Sequence, residues 1–281
     1  MELKKTLQKI EQLPSPDFVL QKIVETASSP NSSAKDLNEI AKKDQAFASK
    51  ILKLANSTYY GLPRKVSQLT EAIMILGFKT VRNMALSIFT HDNYYRFRAK
   101  NIDIKDIWKH AVSCATVGEM IAERIGYPNK EELFMCGLMH DIGKTVQAMV
   151  VPELFEQLIA LARLRKVSYY QAERLIEIPT HEVFAEMLLQ NWDFPEMVIA
   201  AASFHHRPKS LGTSIYSDLV YITTLSTYIA ERMKFGDNGS GTHISLPLQV
   251  WHELGLTPSS FHEIVQKTQH KIDRLDDFFS I

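Results

Sequence analysis

An all-α fold is predicted by three observations. Apolar residues recur at spacings of three and four along most of the 281-residue chain, glycine and proline fall where such stripes end, and no apolar–polar alternation is bounded by hairpin turns. Asp44 is a candidate N-cap for a helix whose Phe47, Ala48, Ile51, Leu52, Leu54 and Ala55 lie on one face. Residues 67–76 read as the next helix, closed by Gly77, and residues 78–89 as another. Residues 103–125 form a longer one, with Trp108, Val112, Ala115 and Met120 among its apolar positions and Gly126 and Pro128 as its stop.

Composition narrows the function classes. Hydrophobic residues make up 45% and charged residues 23%, which excludes disordered and fibrous chains. The longest apolar run, residues 133–139, falls far short of the roughly 18 residues that cross a bilayer, so no membrane span is expected. The Met1–Lys5 segment has charges but no apolar region or cleavage site, unlike a secretory leader. Two cysteines, Cys114 and Cys136, make no disulfide framework, and the cytoplasm is the expected compartment.

Charge balances overall at 32 Lys+Arg against 32 Asp+Glu, but residues 1–100 hold 16 basic and 9 acidic side chains. That asymmetry predicts an N-terminal helical part at 1–100, a core at 101–235, and a loop with C-terminal helices at 236–281. The junction near residue 100 coincides with a polar, aromatic and Arg-rich stretch at 92–101. Docking of oppositely charged parts accounts for the asymmetry better than nucleic-acid binding, because Lys4-Lys5, Lys42-Lys43 and Arg64-Lys65 are scattered. The loop at 236–241 carries three of the 11 glycines and is expected to be mobile surface.

Five of the 10 histidines, His110, His140, His181, His205 and His206, lie in the central part of the chain, and Asp141 follows His140 directly. Imidazole and carboxylate suit Zn, Fe, Mn or Ni, and neighbouring residues on one helix, about 100° apart, could serve adjacent coordination positions. A single histidine is more often a core or surface residue than a ligand. The set is harder to dismiss because His140-Asp141 sits between Gly137 and Gly143 within an apolar run.

Gly137-Leu138-Met139-His140-Asp141-Ile142-Gly143-Lys144 resembles the signature of the HD superfamily, helical metal-dependent phosphohydrolases and their regulatory relatives. Trp108-Lys109-His110, Thr180-His181-Glu182 and His205-His206 are similar to its other histidine motifs, in order. Leu13-Pro14-Ser15-Pro16, Lys43-Asp44-Gln45-Ala46-Phe47, Ile51-Leu52-Lys53-Leu54-Ala55-Asn56-Ser57 with Tyr60-Gly61, Glu71-Ala72-Ile73 and Leu76-Gly77 narrow the resemblance to the HDOD family, over roughly residues 13–235. That family is a bacterial signalling group, often without demonstrated catalysis.

The resemblance implies that His140 and Asp141 are central ligands of a divalent metal (Fe, Mn, Ni, Zn or Mg), completed by His110, His181, His205 and His206. It implies Asp141 and Lys144 as catalytic groups, with Lys144 presenting its ammonium to a phosphate oxygen; the plainer reading of Lys144 is a solvated cation near a helix terminus. HD enzymes carry a final aspartate on a late helix, where this chain has Ser226 or Thr227. Asp218, eight residues earlier and about 12 Å along a helix, is too far to substitute. Gly126-Tyr127-Pro128 spells the tripeptide of the cyclic-di-GMP phosphodiesterase branch, but it precedes His140, so it reads as a helix stop.

Other features read as structure. Cys114 shares a helix face with His110 and is a conceivable soft ligand, although a core thiol is the commoner case, and Cys136 reads as core. Asn56-Ser57 reads as a helix cap, and Trp192 and Phe194 as packing. No G-x-S-x-G or phosphate-cradling glycine loop occurs. The expected function is therefore an HDOD-type signalling protein with a degenerate, metal-binding HD site, a protein signalling partner, and a possible nucleotide or phosphoester ligand. The alternative is an active metal-dependent phosphohydrolase.

Overall fold

Helices begin where a side chain caps the free backbone N–H groups. Asp17 accepts from the Leu20 N–H ahead of α1 (Phe18–Ser28), Asp44 from Phe47 ahead of α3 (Gln45–Ala55), and Asp103 from Lys105 ahead of α6 (Ile104–Ile125). Gly126 closes α6 in the left-handed conformation at φ 70°. The computed structural model describes residues 8–29, 31–41, 43–242 and 248–274, and among these there are helices and no strand. Met1–Lys5 and Lys42 lie outside them.

The remaining helices are α2 (Ala34–Ala41), α4 (Leu69–Leu76), α5 (Phe78–Tyr94), α7 (Lys130–Met139), α8 (Ile142–Val150), α9 (Pro152–Arg165), α10 (Tyr169–Leu175), α11 (His181–Asn191) and α12 (Glu196–Phe204). A short 3-10 turn (Pro208–Leu211) then leads to α13 (Ser217–Arg232), α14 (Leu248–Glu253) and α15 (Pro258–Ile272). The all-α expectation holds. Helix α5 runs to Tyr94 rather than stopping at Phe89, because Tyr94 is fully buried and packs edge-on against Trp192 at 5.1 Å. Among the described residues no single helix is long and apolar enough to cross a membrane; α4 and α5 pass that test only together, bent by 119°.

Two compact units divide the described chain. One holds residues 14–93 and 269–274, where α1 packs on α2, and α4 on both α2 and α3. The other holds 8–13 and 94–268. In it α6 packs along α7 and α13, while α11 packs on α8 and α12, around Trp108, Phe134, Phe155 and Tyr169.

Two glycines let this second unit close. A Cβ on Gly137 would sit 2.6 Å from the Ala115 Cα, and one on Gly143 only 1.9 Å from the His181 carbonyl oxygen. Backbone thus meets backbone where α7 crosses α6 and where α8 crosses α11. The crossings carry His110 and His181 to the two sides of the His140-Asp141 pair.

The loop at 236–241 is not the mobile surface expected from its glycines. Asn238 is buried; its amide donates to Glu231 at 2.5 Å and its carbonyl accepts from Lys144 at 3.2 Å. The Gly241 N–H donates to the Val167 carbonyl at 2.8 Å, and Ser240 accepts from the Tyr169 N–H at 3.1 Å. Glycine removes Cβ, and a backbone without Cβ can pack as tightly as it can move; here it packs.

Candidate metal centre

His140 and Asp141 do not share a helix, as their adjacency suggested. Helix α7 ends at Met139, α8 begins at Ile142, and the pair forms the joint between them. The break turns both side chains inward, to full burial. His140 Nδ1 donates to the Gly137 carbonyl at 2.7 Å and His205 Nδ1 to the Ala202 carbonyl at 3.0 Å, so in both rings Nε2 is the free atom.

Four imidazoles converge on the Asp141 carboxylate. On its Oδ1 side, His181 Nε2 lies at 3.2 Å and His205 Nε2 at 3.5 Å; on its Oδ2 side, His140 Nε2 lies at 3.3 Å and His110 Nε2 at 3.8 Å. Ligand atoms of Asp141, His181, His205 and His206 cluster within 4.8 Å, as do those of His110, Cys114 and His140. The structure thus brings together all six residues expected to ligate metal. Cys114 joins them: it is buried like a core thiol, yet its sulfur is 3.4 Å from His110 Nε2.

The donor set fits a divalent cation. Asp141 Oδ1 and the Nε2 atoms of His140, His181, His205 and His206 are buried and make no hydrogen bond. Buried polar atoms are nearly always paired, and a convergent group left unpaired has the chemistry of a cation site. Among the described residues no ring of comparable donors occurs elsewhere.

Lys144 is not a solvated cation. It is 1% exposed, its ammonium sits 2.7 Å from Asp141 Oδ2 and 3.2 Å from the Asn238 carbonyl, and it lies 5.2 Å from the centre of the Tyr169 ring. The Oδ2 side of the carboxylate therefore already holds one fixed positive charge.

Sequence reading missed two buried carboxylates. Glu173 accepts from His181 Nδ1 at 2.8 Å and from the His181 N–H at 2.5 Å, and is held by Gln147 at 2.7 Å, itself held by the Tyr169 hydroxyl at 2.8 Å. Glu182 accepts from Arg207 Nε at 2.9 Å and from the His206 N–H at 3.3 Å, and His206 stacks on Tyr170 at 4.7 Å. Glu173 stands eight residues before His181 on another helix, and no local motif connects them. Carboxylates of this kind orient an imidazole and raise its basicity. Glu173→Gln is expected to weaken metal binding by roughly 10–100-fold in a chelator competition; unchanged affinity would remove Glu173 from the centre.

Burial opposes charge on every ring, but unequally. Against it, Asp141 raises His140 to about 10 and Glu173 raises His181 to about 9. Burial, with His140 beside it, lowers His110 to about 3, and burial also lowers His205 and His206. For Asp141, burial is outweighed by His140 and Lys144, which hold its carboxyl well below the usual range. Asp141 and Glu173 thus favour the protonated forms of His140 and His181 in the metal-free chain, and a proton on either Nε2 must leave before that atom can ligate. Metal affinity is expected to rise with pH through the neutral range, with protons released on loading. A dissociation constant that is flat between about pH 6 and pH 8 would contradict this.

Comparison with known proteins gives the family. The HDOD domain family matches residues 13–208. A Treponema pallidum protein of uncharacterised role is 24% identical over 198 residues, a match covering 70% of this chain and 37% of that protein. Among solved structures, an HDOD domain protein from Geobacter sulfurreducens has a TM-score of 0.76 at 18% identity, covering 99% of this chain and 97% of its own. A protein from Marinobacter aquaeolei described as a candidate in signal transduction reaches 0.79 at 22%, covering 98% and 61%. A candidate phosphohydrolase from Shewanella amazonensis reaches 0.73 at 21%, covering 98% and 95%. With its N-terminal motifs and the His140-Asp141 joint both inside the matched segment, the chain belongs to the HDOD domain family.

Proposed function

We propose that this chain is a cytoplasmic, bacterial-type signalling protein whose HD centre holds a divalent ion and turns over phosphoesters weakly or not at all. Its output is a contact with a protein partner. The observation that carries this reading is the late position on α13. Both candidate hydroxyls there are turned back on their own helix, Ser226 to the Ile222 carbonyl at 2.7 Å and Thr227 to the Thr223 carbonyl at 3.2 Å. Neither is a carboxylate, and a hydroxyl is a poor ligand for these ions.

The two half-sites differ in the same direction. The Oδ1 side offers His181, His205 and His206 to an ion. The Oδ2 side offers His110 and His140, lacks the late carboxylate, and already contains the Lys144 ammonium. This favours one ion held by Asp141, His181 and His205, with His206 contributing less. The reducing compartment is supported by two buried cysteines that form no disulfide among the described residues.

A second reading, a metal-dependent phosphohydrolase, draws on the full histidine set and on Lys144. A bound ion would supply an acidified water and polarise a phosphoryl oxygen. In that case Lys144 would hold Asp141 and offer its ammonium to a phosphate oxygen, and His206, half-buried, would face the incoming group.

Elemental analysis of untagged protein, followed by a phosphoester panel with added Mn, Fe, Ni and Mg, separates the readings. Bound metal without turnover supports the first, and robust metal-dependent turnover promotes the second. The late position also gives a variant. Ser226 lies 3.4 Å from where a Gly118 Cβ would stand, and Gly118 is eight residues, about 12 Å, along α6 from His110. Thr227 is one turn before Glu231, whose charge, after burial itself, helps raise the Cys114 thiol beside His110. Thr227→Asp, rather than Ser226→Asp, is therefore expected to tighten metal binding by about tenfold or more. An unaltered chelator-competition curve would count against position 227.

A further inference from the structure

We propose that the unit holding residues 14–93 and 269–274 contains a binding site for a phosphomonoester of about mononucleotide size, formed by the loop that follows α3. The sequence Asn56-Ser57 reads as a helix cap, and Asn56 does close the helix. Its amide donates to Leu52 at 2.9 Å. It also grips Val66, donating to its carbonyl at 2.8 Å and accepting from its N–H at 2.7 Å, so the ends of the intervening loop are pinned together.

Capping leaves Ser57 unexplained. Its side chain is 4% exposed and its hydroxyl has no hydrogen-bond partner. A hydroxyl buried without a partner is costly unless something else satisfies it. Ser57 lines a groove of about 500 Å³, within the range of small-molecule sites, together with Thr58, Gly61, Arg64, Lys65 and Arg274. Thr58 donates to the Arg274 carbonyl at 3.1 Å, which fixes that end of α15 to the loop.

Charge selects the ligand. Three cations line the groove and no carboxylate does. Arg64 pairs with Glu71 at 2.5 Å, whereas among the described residues no carboxylate pairs with Lys65 or Arg274. Two unneutralised cations, one a planar fork of donors, in the groove that Ser57 also lines suit the oxygens of a phosphate group. The volume exceeds what a bare anion fills, and Leu62 and Pro63 give the remainder an apolar wall for an organic moiety.

The test uses full-length protein freed of metal by chelator dialysis, so that the HD centre cannot hold the probe through an ion. Adenosine monophosphate is titrated by calorimetry, with inorganic phosphate in parallel. Saturable binding of the nucleotide is expected, with phosphate weaker. The double variant Lys65→Glu/Arg274→Glu, at two exposed positions, should lose at least about tenfold in affinity, and Ser57→Ala several-fold, while Asp141→Asn, in the other unit, leaves binding unchanged. Circular dichroism confirms that each variant is folded. Absence of saturable binding, or binding that survives the double charge reversal, would overturn the proposal. Loss of binding on Asp141→Asn would place the ligand at the HD centre instead.

Discussion

Asp141→Ala is expected to strip bound metal from the protein. The carboxylate is the one group that both halves of the centre share, with His181 and His205 on Oδ1 and His140 and His110 on Oδ2. Its loss should exceed the roughly 10–100-fold typical of an orienting partner such as Glu173. The variant also leaves the Lys144 ammonium buried with the Asn238 carbonyl and the Tyr169 ring but no carboxylate. Removing one member of a buried ion pair costs about 3–5 kcal/mol, so a drop in Tm should accompany the loss of metal. Asp141→Asn keeps the shape and an acceptor oxygen for Lys144, and separates the two effects: metal should still be lost, with less harm to the fold. His206→Ala should weaken binding less than either, because His206 is half-buried and stacked on Tyr170. Metal content in Asp141→Ala equal to that of the parent would refute the assignment of the centre.

The second large effect is expected from a single methyl group. Gly143→Ala places a Cβ 1.9 Å from the His181 carbonyl oxygen and 2.8 Å from the Ala185 nitrogen, both backbone atoms of α11. No flexible side chain can move aside, so α8 and α11 must separate. Overpacking of this kind costs roughly 3 kcal/mol, and for a chain of this size that lowers Tm by about 6–12 °C. The same displacement draws His181 away from Asp141 and should reduce metal retention in the protein that remains folded. Thermal denaturation and metal analysis on one preparation test both consequences. A Gly143→Ala protein with parental Tm and metal would show that this crossing has slack.

The sequence by itself determined the helical class and which residues meet at the candidate centre. Helix signals are local: Asp44 and Asp103 cap the backbone within three residues, and Gly126 stops it at the next turn, so spacing and residue type suffice. The six expected metal ligands stand in recognisable motifs, and each reaches the same buried centre. The tertiary structure alone decided how those ligands are shared. His140 and Asp141 lie at a helix joint, not along one helix, because α7 and α8 pack against different partners. Lys144 turned inward because Asp141 and Asn238 offer a buried cation better company than solvent near a helix end. Glu173 became the partner of His181 through the packing of two helices, which no spacing rule encodes. The glycines of residues 236–241 misled for the same reason: a missing Cβ permits both freedom and close approach, and only the atoms packed against it decide between them.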